Sequence, residues 1–192
     1  MISKEAIEQA RKEYLSLPDS EWRKDYFDEA TGGFVATHVL KTKDDMRIPG
    51  IAAEVNACFE LAHLGKQILR LPENIQSLID SVVINGKPYR ELLKFKPRSE
   101  RPRGYPDAYF DGQTWDFKTS SFGNEDSLRQ TIKEGRKADN IVFLTSMDIQ
   151  TKIIEKVINR EIGMRKADGS WIELPNVYSI HNKRLIKIWN KR

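Results

Sequence analysis

The spacing of apolar positions changes several times along the chain, and each change marks an element. In residues 2–17, Ile7, Ala10, Tyr14 and Leu17 recur at helical steps, which predicts a helix stopped by Pro18. Asp19-Ser20 then reads as the cap of a second short helix. Thr31-Gly32-Gly33 breaks the pattern, residues 34–40 read as a strand, and Pro49-Gly50 opens the clearest helix, over 51–64. Its apolar stripe holds Ile51, Ala52, Val55, Phe59 and Ala62, and Gly65 stops it. Residues 67–71 form the next strand, and Asn85-Gly86 is a turn signal between short strands within 81–89.

Residues 108–110 and 114–119 alternate around Asp111-Gly112, so they pair as an antiparallel hairpin with a tight turn. A helix over 127–138, a buried-type strand over 140–145, a helix over 149–160 and a hairpin over 177–189 turning near Asn182 complete the pattern. The core order is helix, three strands, helix, strand, which predicts an α/β fold with a mixed central sheet flanked by helices. The 192 residues suit a single domain. Within it, 1–48 is expected as an N-terminal helical appendage, 49–146 as the core, and 147–192 as a C-terminal helix and hairpin.

Composition narrows the classes. A hydrophobic fraction of 39% and a charged fraction of 31% describe a chain that can bury a core rather than a disordered one. The net charge of +4 permits a polyanionic partner without demanding it. Lys94, Lys96, Arg98, Arg101 and Arg103 are candidate phosphate contacts, although a basic loop of this kind is as readily a solvated one. Cys58, the only cysteine, has no thiol partner for a disulfide or a metal-thiolate cluster and reads as a packed side chain. No apolar run has the length of a membrane span and the N-terminus lacks a secretory core, so the expected location is the cytoplasm, with no membrane partner.

The chemistry concentrates in Tyr105-Pro-Asp-Ala-Tyr-Phe-Asp-Gly-Gln-Thr-Trp-Asp-Phe-Lys118. Asp116 and Lys118 are two apart on a strand, so they share one face while Trp115 and Phe117 share the other. Asp107 begins the partner strand, and the tight turn brings it toward Asp116. Two carboxylates so close repel unless a cation lies between them, and hard oxygen ligands suit Mg2+ or Mn2+. Such a metal polarises a phosphoryl oxygen and acidifies water, with Lys118 positioning that water and offsetting transition-state charge. Glu54, whose helical neighbours are Ala57, Cys58 and Leu61, faces the same sheet and is a natural outer ligand. Taken singly, Pro-Asp is a common turn and Asp-x-Lys an exposed ion pair; their conjunction is what points to a site.

In these residues, Glu54, Pro106-Asp107 and Asp116-Phe117-Lys118, the sequence resembles the PD-(D/E)xK nuclease superfamily over about residues 51–145. That resemblance implies an αβββαβ core, a metal-dependent phosphodiesterase held together by Glu54, Asp107, Asp116 and Lys118, and Gln130 as an added polar group. More narrowly, the same residues with Leu71-Pro72-Glu73 and Lys137-Ala-Asp-Asn-Ile-Val142 look like the C-terminal nuclease toxins of CdiA-type contact-dependent inhibition systems. This implies RNA, specifically transfer RNA, ahead of DNA, an immunity protein as partner, and delivery into target cells. Two alternatives stay open. In a metal-free ribonuclease of the barnase or colicin type, His181 with Lys183 and Arg184 would do the chemistry. In a non-catalytic nucleic-acid-binding module, acids facing phosphate would have no use. The aromatic residues Trp115, Phe117, Phe122 and Tyr109 are candidates for base stacking or for core.

Overall fold

The structure, a computed structural model, describes residues 2–42, 45–96, 101–119, 125–144, 151–162, 174–181 and 184–189. Helix α1 (Lys4–Ser16) is capped by Ser3, whose hydroxyl accepts from the Ala6 N–H, and ends before Pro18 as its spacing predicts. Strands β1 (Trp22–Phe27) and β2 (Phe34–His38) follow, then helix α2 (Pro49–His63) and β3 (Gln67–Arg70). A small hairpin, β4 (Val83–Ile84) and β5 (Lys87–Pro88), turns at Asn85-Gly86 and leads into the single turn α3 (Tyr89–Leu92). Next come β6 (Ala108–Phe110), β7 (Gln113–Thr119), α4 (Glu125–Glu134) with a 3-10 turn over Gly135–Lys137, and β8 (Asn140–Leu144). Helix α5 (Thr151–Ile162) and the hairpin β9 (Asn176–His181) and β10 (Arg184–Trp189) close the chain.

Eight of these strands form one mixed sheet in the order β1-β2-β3-β6-β7-β8-β9-β10. Pairings β2/β3, β7/β8 and β8/β9 are parallel and the others antiparallel, so the α/β class and mixed sheet expected from the sequence are present. Helix α2 lays Ala57, Cys58, Leu61 and Ala62 on a sheet face that carries Val35, Ile68, Ala108, Trp115, Phe117 and Val142. Leu128 and Ile132 of α4, with Val157 and Ile158 of α5, pack with Ile141, Phe143 and Val177. A third cluster joins Trp22, Phe34, Leu69 and Tyr109 to the β4–β5 region through Ile84 and Tyr89.

Three expectations are corrected. The short helix expected after the Asp19-Ser20 cap is not formed; the strand β1 follows instead, because pairing with β2 overrides the local capping signal. Residues 1–48 are therefore not a helical appendage, because β1 and β2 are the first strands of the main sheet. The helix over 127–138 is not continuous either; α4 ends at Glu134 and tightens into the 3-10 turn at Gly135. The C-terminal hairpin is present where expected and extends the same sheet, while its turn at Asn182 lies outside the described residues.

One close approach locks the N-terminal strands to the core. A Cβ on Gly33 would stand 1.9 Å from the Ala62 carbonyl oxygen, so the start of β2 and the end of α2 touch backbone to backbone. Gly33→Ala is expected to lose about 1–3 kcal/mol of stability through this overlap. Gly50→Ala, in open space at the start of α2, is expected to be neutral or slightly stabilising. Paired thermal-unfolding measurements check both, and equal effects would show that the contact relaxes freely.

Candidate active site

The β6–β7 hairpin sets the central pair of acids. Its two turn residues, Asp111 (φ 51°) and Gly112 (φ 74°), both adopt left-handed backbone, the geometry whose twist matches paired strands. Ala108 pairs with Trp115, and Asp107 stands just before β6, close enough to Asp116 for one lysine to reach both carboxylates. Asp107 is fixed by backbone bonds on both sides: its N–H donates to the Trp115 carbonyl (2.9 Å) and its own carbonyl accepts from the Leu71 N–H (2.9 Å). Its side-chain Oδ2 accepts from the Phe117 N–H at 2.7 Å. Alternation along β7 then sends Trp115 and Phe117 into the core under α2 and leaves Asp116 toward the other side, where Gly135 packs.

Asp116 is fully buried, and two ammonium groups meet it: Lys118 Nζ lies 3.1 Å from Oδ2 and Lys137 Nζ 2.8 Å from Oδ1. Both contacts are at ion-pair distance without directed hydrogen-bond geometry, so neither oxygen of Asp116 has a well-aligned donor. Lys137 Nζ is also 3.3 Å from Asp107 Oδ1 and thus bridges the two acids. Burial, and then the neighbouring Asp107, push the Asp116 carboxyl up to about 7 against the opposing pull of Lys137 and Lys118. Burial raises Asp107 too, but Lys137, the hydrogen bond with Asp116, Lys41 and the Phe117 N–H outweigh it and hold Asp107 below the usual carboxylate range. The two carboxyls titrate as a coupled pair, with Asp116 the more readily protonated of the two.

Glu54 reaches the site from α2, within a second set of buried charges. Its Oε1 accepts from Arg70 Nη2 (3.1 Å) and Nε (3.3 Å) and lies 3.2 Å from Lys41 Nζ. Lys41, whose side chain is wholly buried, also donates to Glu73 Oε1 at 2.8 Å, and Arg70 Nη1 donates to Thr37 Oγ1 at 3.2 Å. Burial, with the nearby charge of Asp107, raises the Glu54 carboxyl more than Lys41 and Arg70 lower it, so it sits above the ordinary range. With Glu54 committed to these two cations, no three carboxylate, imidazole or thiol groups among the described residues gather as a ready-made metal cage.

Glu54, Glu73, Asp107, Asp116, Lys118 and Lys137 nevertheless line one cavity of about 370 Å³. It opens where β3, β7 and β8 end and β6 begins, the crevice at the carboxyl ends of parallel strands where open α/β sheets bind ligands. Gln130 does not line it: the side chain is exposed and donates to Glu134 (3.0 Å), and Thr131 and Glu134 supply the wall from α4. Of the basic segment, Lys94 is tied to the Ala138 carbonyl (2.9 Å) and Asp139 (3.3 Å), and Arg103 Nε donates to the Phe95 carbonyl (3.1 Å). Lys96 and Arg101 are exposed, and Arg98 lies outside the described residues. Trp115, Phe117 and Tyr109 are buried in the core and are not stacking platforms, while Phe122 lies outside the described residues.

Sequence reasoning missed Lys137, Lys41 and Arg70 as parts of this site. Arg70 carried a signal, a lone cation within the apolar run Ile68-Leu-Arg-Leu71. For Lys137 the signal was Gly135 interrupting a helical pattern, since a Cβ there would lie 2.2 Å from Ile141 Cδ1 and 3.4 Å from Asp116 Oδ2. Lys41 carried none.

Because Asp116 holds its proton more tightly in the folded protein than in the unfolded chain, its share of stability is full below pH about 4 and is lost as pH rises to about 7. Asp116→Asn, which cannot ionise, should therefore gain on the parent by on the order of a few kcal/mol across that window. Thermal unfolding between acid and mildly alkaline pH measures this, and a pH-independent difference would show that Asp116 carries no raised pKa.

Comparison of the chain with protein-family models, with curated proteins and with solved structures finds no match.

Proposed function

We propose that this protein is a metal-dependent nuclease that hydrolyses phosphodiester bonds at the cavity walled by Asp107, Asp116 and Lys118. The observation that carries the reading is Asp116 itself: a buried carboxylate with both oxygens lacking aligned donors, bridged through Lys137 to a second buried carboxylate, Asp107, beside an open cavity. Evolution has little structural reason to place two acids there, since an apolar pair would cost far less to bury. The donor set fits a hard divalent cation, Mg2+ or Mn2+, held by Asp107 and Asp116 and completed by water. Such a cation would polarise a phosphoryl oxygen and supply a more acidic water.

The chain's own groups do the rest. Lys118, about one-fifth exposed at the cavity wall, orients the attacking water and meets charge developing on the phosphorus oxygens. Glu54, held by Arg70 and Lys41, is an outer group that fixes the orientation of water around the acids. Lys96 is an exposed cation of the 94–103 segment that can meet the substrate backbone, with Arg101 also exposed there, whereas Lys94 and Arg103 shape that segment. The resemblance of Glu54, Pro106-Asp107 and Asp116-Phe117-Lys118 to PD-(D/E)xK nucleases, and of the wider pattern to contact-dependent inhibition toxins, favours transfer RNA as substrate and an immunity protein as partner.

Single-turnover cleavage of transfer RNA and of plasmid DNA, each with Mg2+ or with EDTA, tests the reading. Asp116→Ala and Lys118→Ala are each expected to lose on the order of a hundredfold or more in rate. Binding of the uncut substrate should change little, because affinity rests on other cations. Excess Mg2+ should not restore Lys118→Ala, which still has both aspartates. Cleavage at the parental rate in both variants, or undiminished in EDTA, would overturn the assignment.

A further inference from the structure

We infer that Lys137 is an internal counter-ion of the Asp107–Asp116 pair, which a divalent cation must displace in order to bind. The inference rests on the metal-dependent reading of this site and adds to it how the cation-free state is held and what loading releases.

Geometry supplies the first argument. The Lys137 ammonium lies 2.8 Å from Asp116 Oδ1 and 3.3 Å from Asp107 Oδ1, the position between two carboxylates that a shared cation would take. Two positive groups cannot occupy it together at low cost, since like charges a few ångströms apart in a buried site repel strongly.

Charge balance supplies the second. Glu54 and Glu73 are matched by Lys41 and Arg70, and Asp107 and Asp116 by Lys137 and Lys118. Glu134, the remaining acid of the wall, accepts from Gln130. With both aspartates ionised, the paired set is thus neutral before any cation arrives. A divalent cation makes it positive by two charges and leaves an ammonium group with no acid to itself, in a cavity where a phosphodiester brings one negative charge. Local architecture supplies the third. The stem of Lys137 is confined on one side by Gly104, where a Cβ would stand 3.0 Å from Lys137 Cδ. The 3-10 turn that carries it packs against β7 at Gly135. Lys137 itself lines the cavity, so only the end of the side chain needs to swing and its free direction is into that space.

The test is Mn2+ binding to the full chain, followed by water-proton relaxation at mildly alkaline pH without nucleic acid. Lys137→Met and Lys137→Gln are expected to bind Mn2+ on the order of tenfold or more tightly than the parent, because the competing charge is gone. Lys137→Arg, which keeps a cation in place, should bind about as the parent does. Thermal unfolding identifies any variant that fails to fold, and the Gln and Arg forms decide the matter if the Met form does. Unchanged or weaker binding in the neutral variants overturns the inference, as does a parent and variants that all fail to bind Mn2+. Tighter binding in a protein that cuts neither RNA nor DNA would sustain the counter-ion role and sink the nuclease reading, so the two failures are distinct.

Discussion

Two carboxylates, Asp107 and Asp116, lie close together where the β6–β7 pairing ends, and their mutual repulsion in a buried setting is the constraint around which the neighbouring elements are arranged. Asp107 is secured through Leu71, Trp115 and Phe117, which draws β3, β6 and β7 into register around it. Asp116 is met by a lysine from its own strand and by another delivered from the turn after α4. That delivery depends on Gly135, since any larger side chain would collide with Ile141 and crowd the carboxylate. The turn, the glycine and the following strand β8 are thus explained together, as the apparatus that brings a compensating charge to a buried acid.

The set around Glu54 follows the same rule at lower tension. Lys41 and Arg70 are nearly inaccessible, and each buried cation has an acidic or hydroxyl partner drawn from a different element. Removing one member of such a set leaves another charged and unpaired, which costs more than the intact set contributes. Strands β2 and β3, helix α2 and the segment after β3 are consequently bound by charge as well as by the apolar contacts of Val35, Ile68 and Cys58. The N-terminal strands belong to the site's support for this reason.

Much of this was legible in the sequence. Alternation around Asp111-Gly112 gave the hairpin, and the two-residue period put Asp116 and Lys118 on one side of it, because both are local properties of a strand. The helical stripe beginning at Ile51 placed Glu54 beside the sheet for the same reason. The segment after Asp19-Ser20 was misread because a capping dipeptide is a local signal, and pairing with β2 is not. Gln130 was carried over by resemblance, yet α4, with Leu128 and Ile132 buried against the sheet, presents Thr131 and Glu134 to the cavity in its place. Lys137 and Lys41 meet their acids across long sequence separations, and no period of hydrophobic residues encodes which lysine will bridge two aspartates.

The anchoring of Asp107 has a further consequence for how the protein moves. Its backbone is bonded to β3 on one side and β7 on the other, and its carboxylate holds the Phe117 amide, so the acid belongs to the sheet and not to a loop. Amides in such a position exchange with solvent only when the sheet itself opens, with an opening free energy approaching that of global unfolding. Asp107 is held as firmly as the sheet that carries it, so whatever enters the cavity meets a fixed acid, while the long side chains of Lys118 and Lys137 at the same wall are the parts able to adjust.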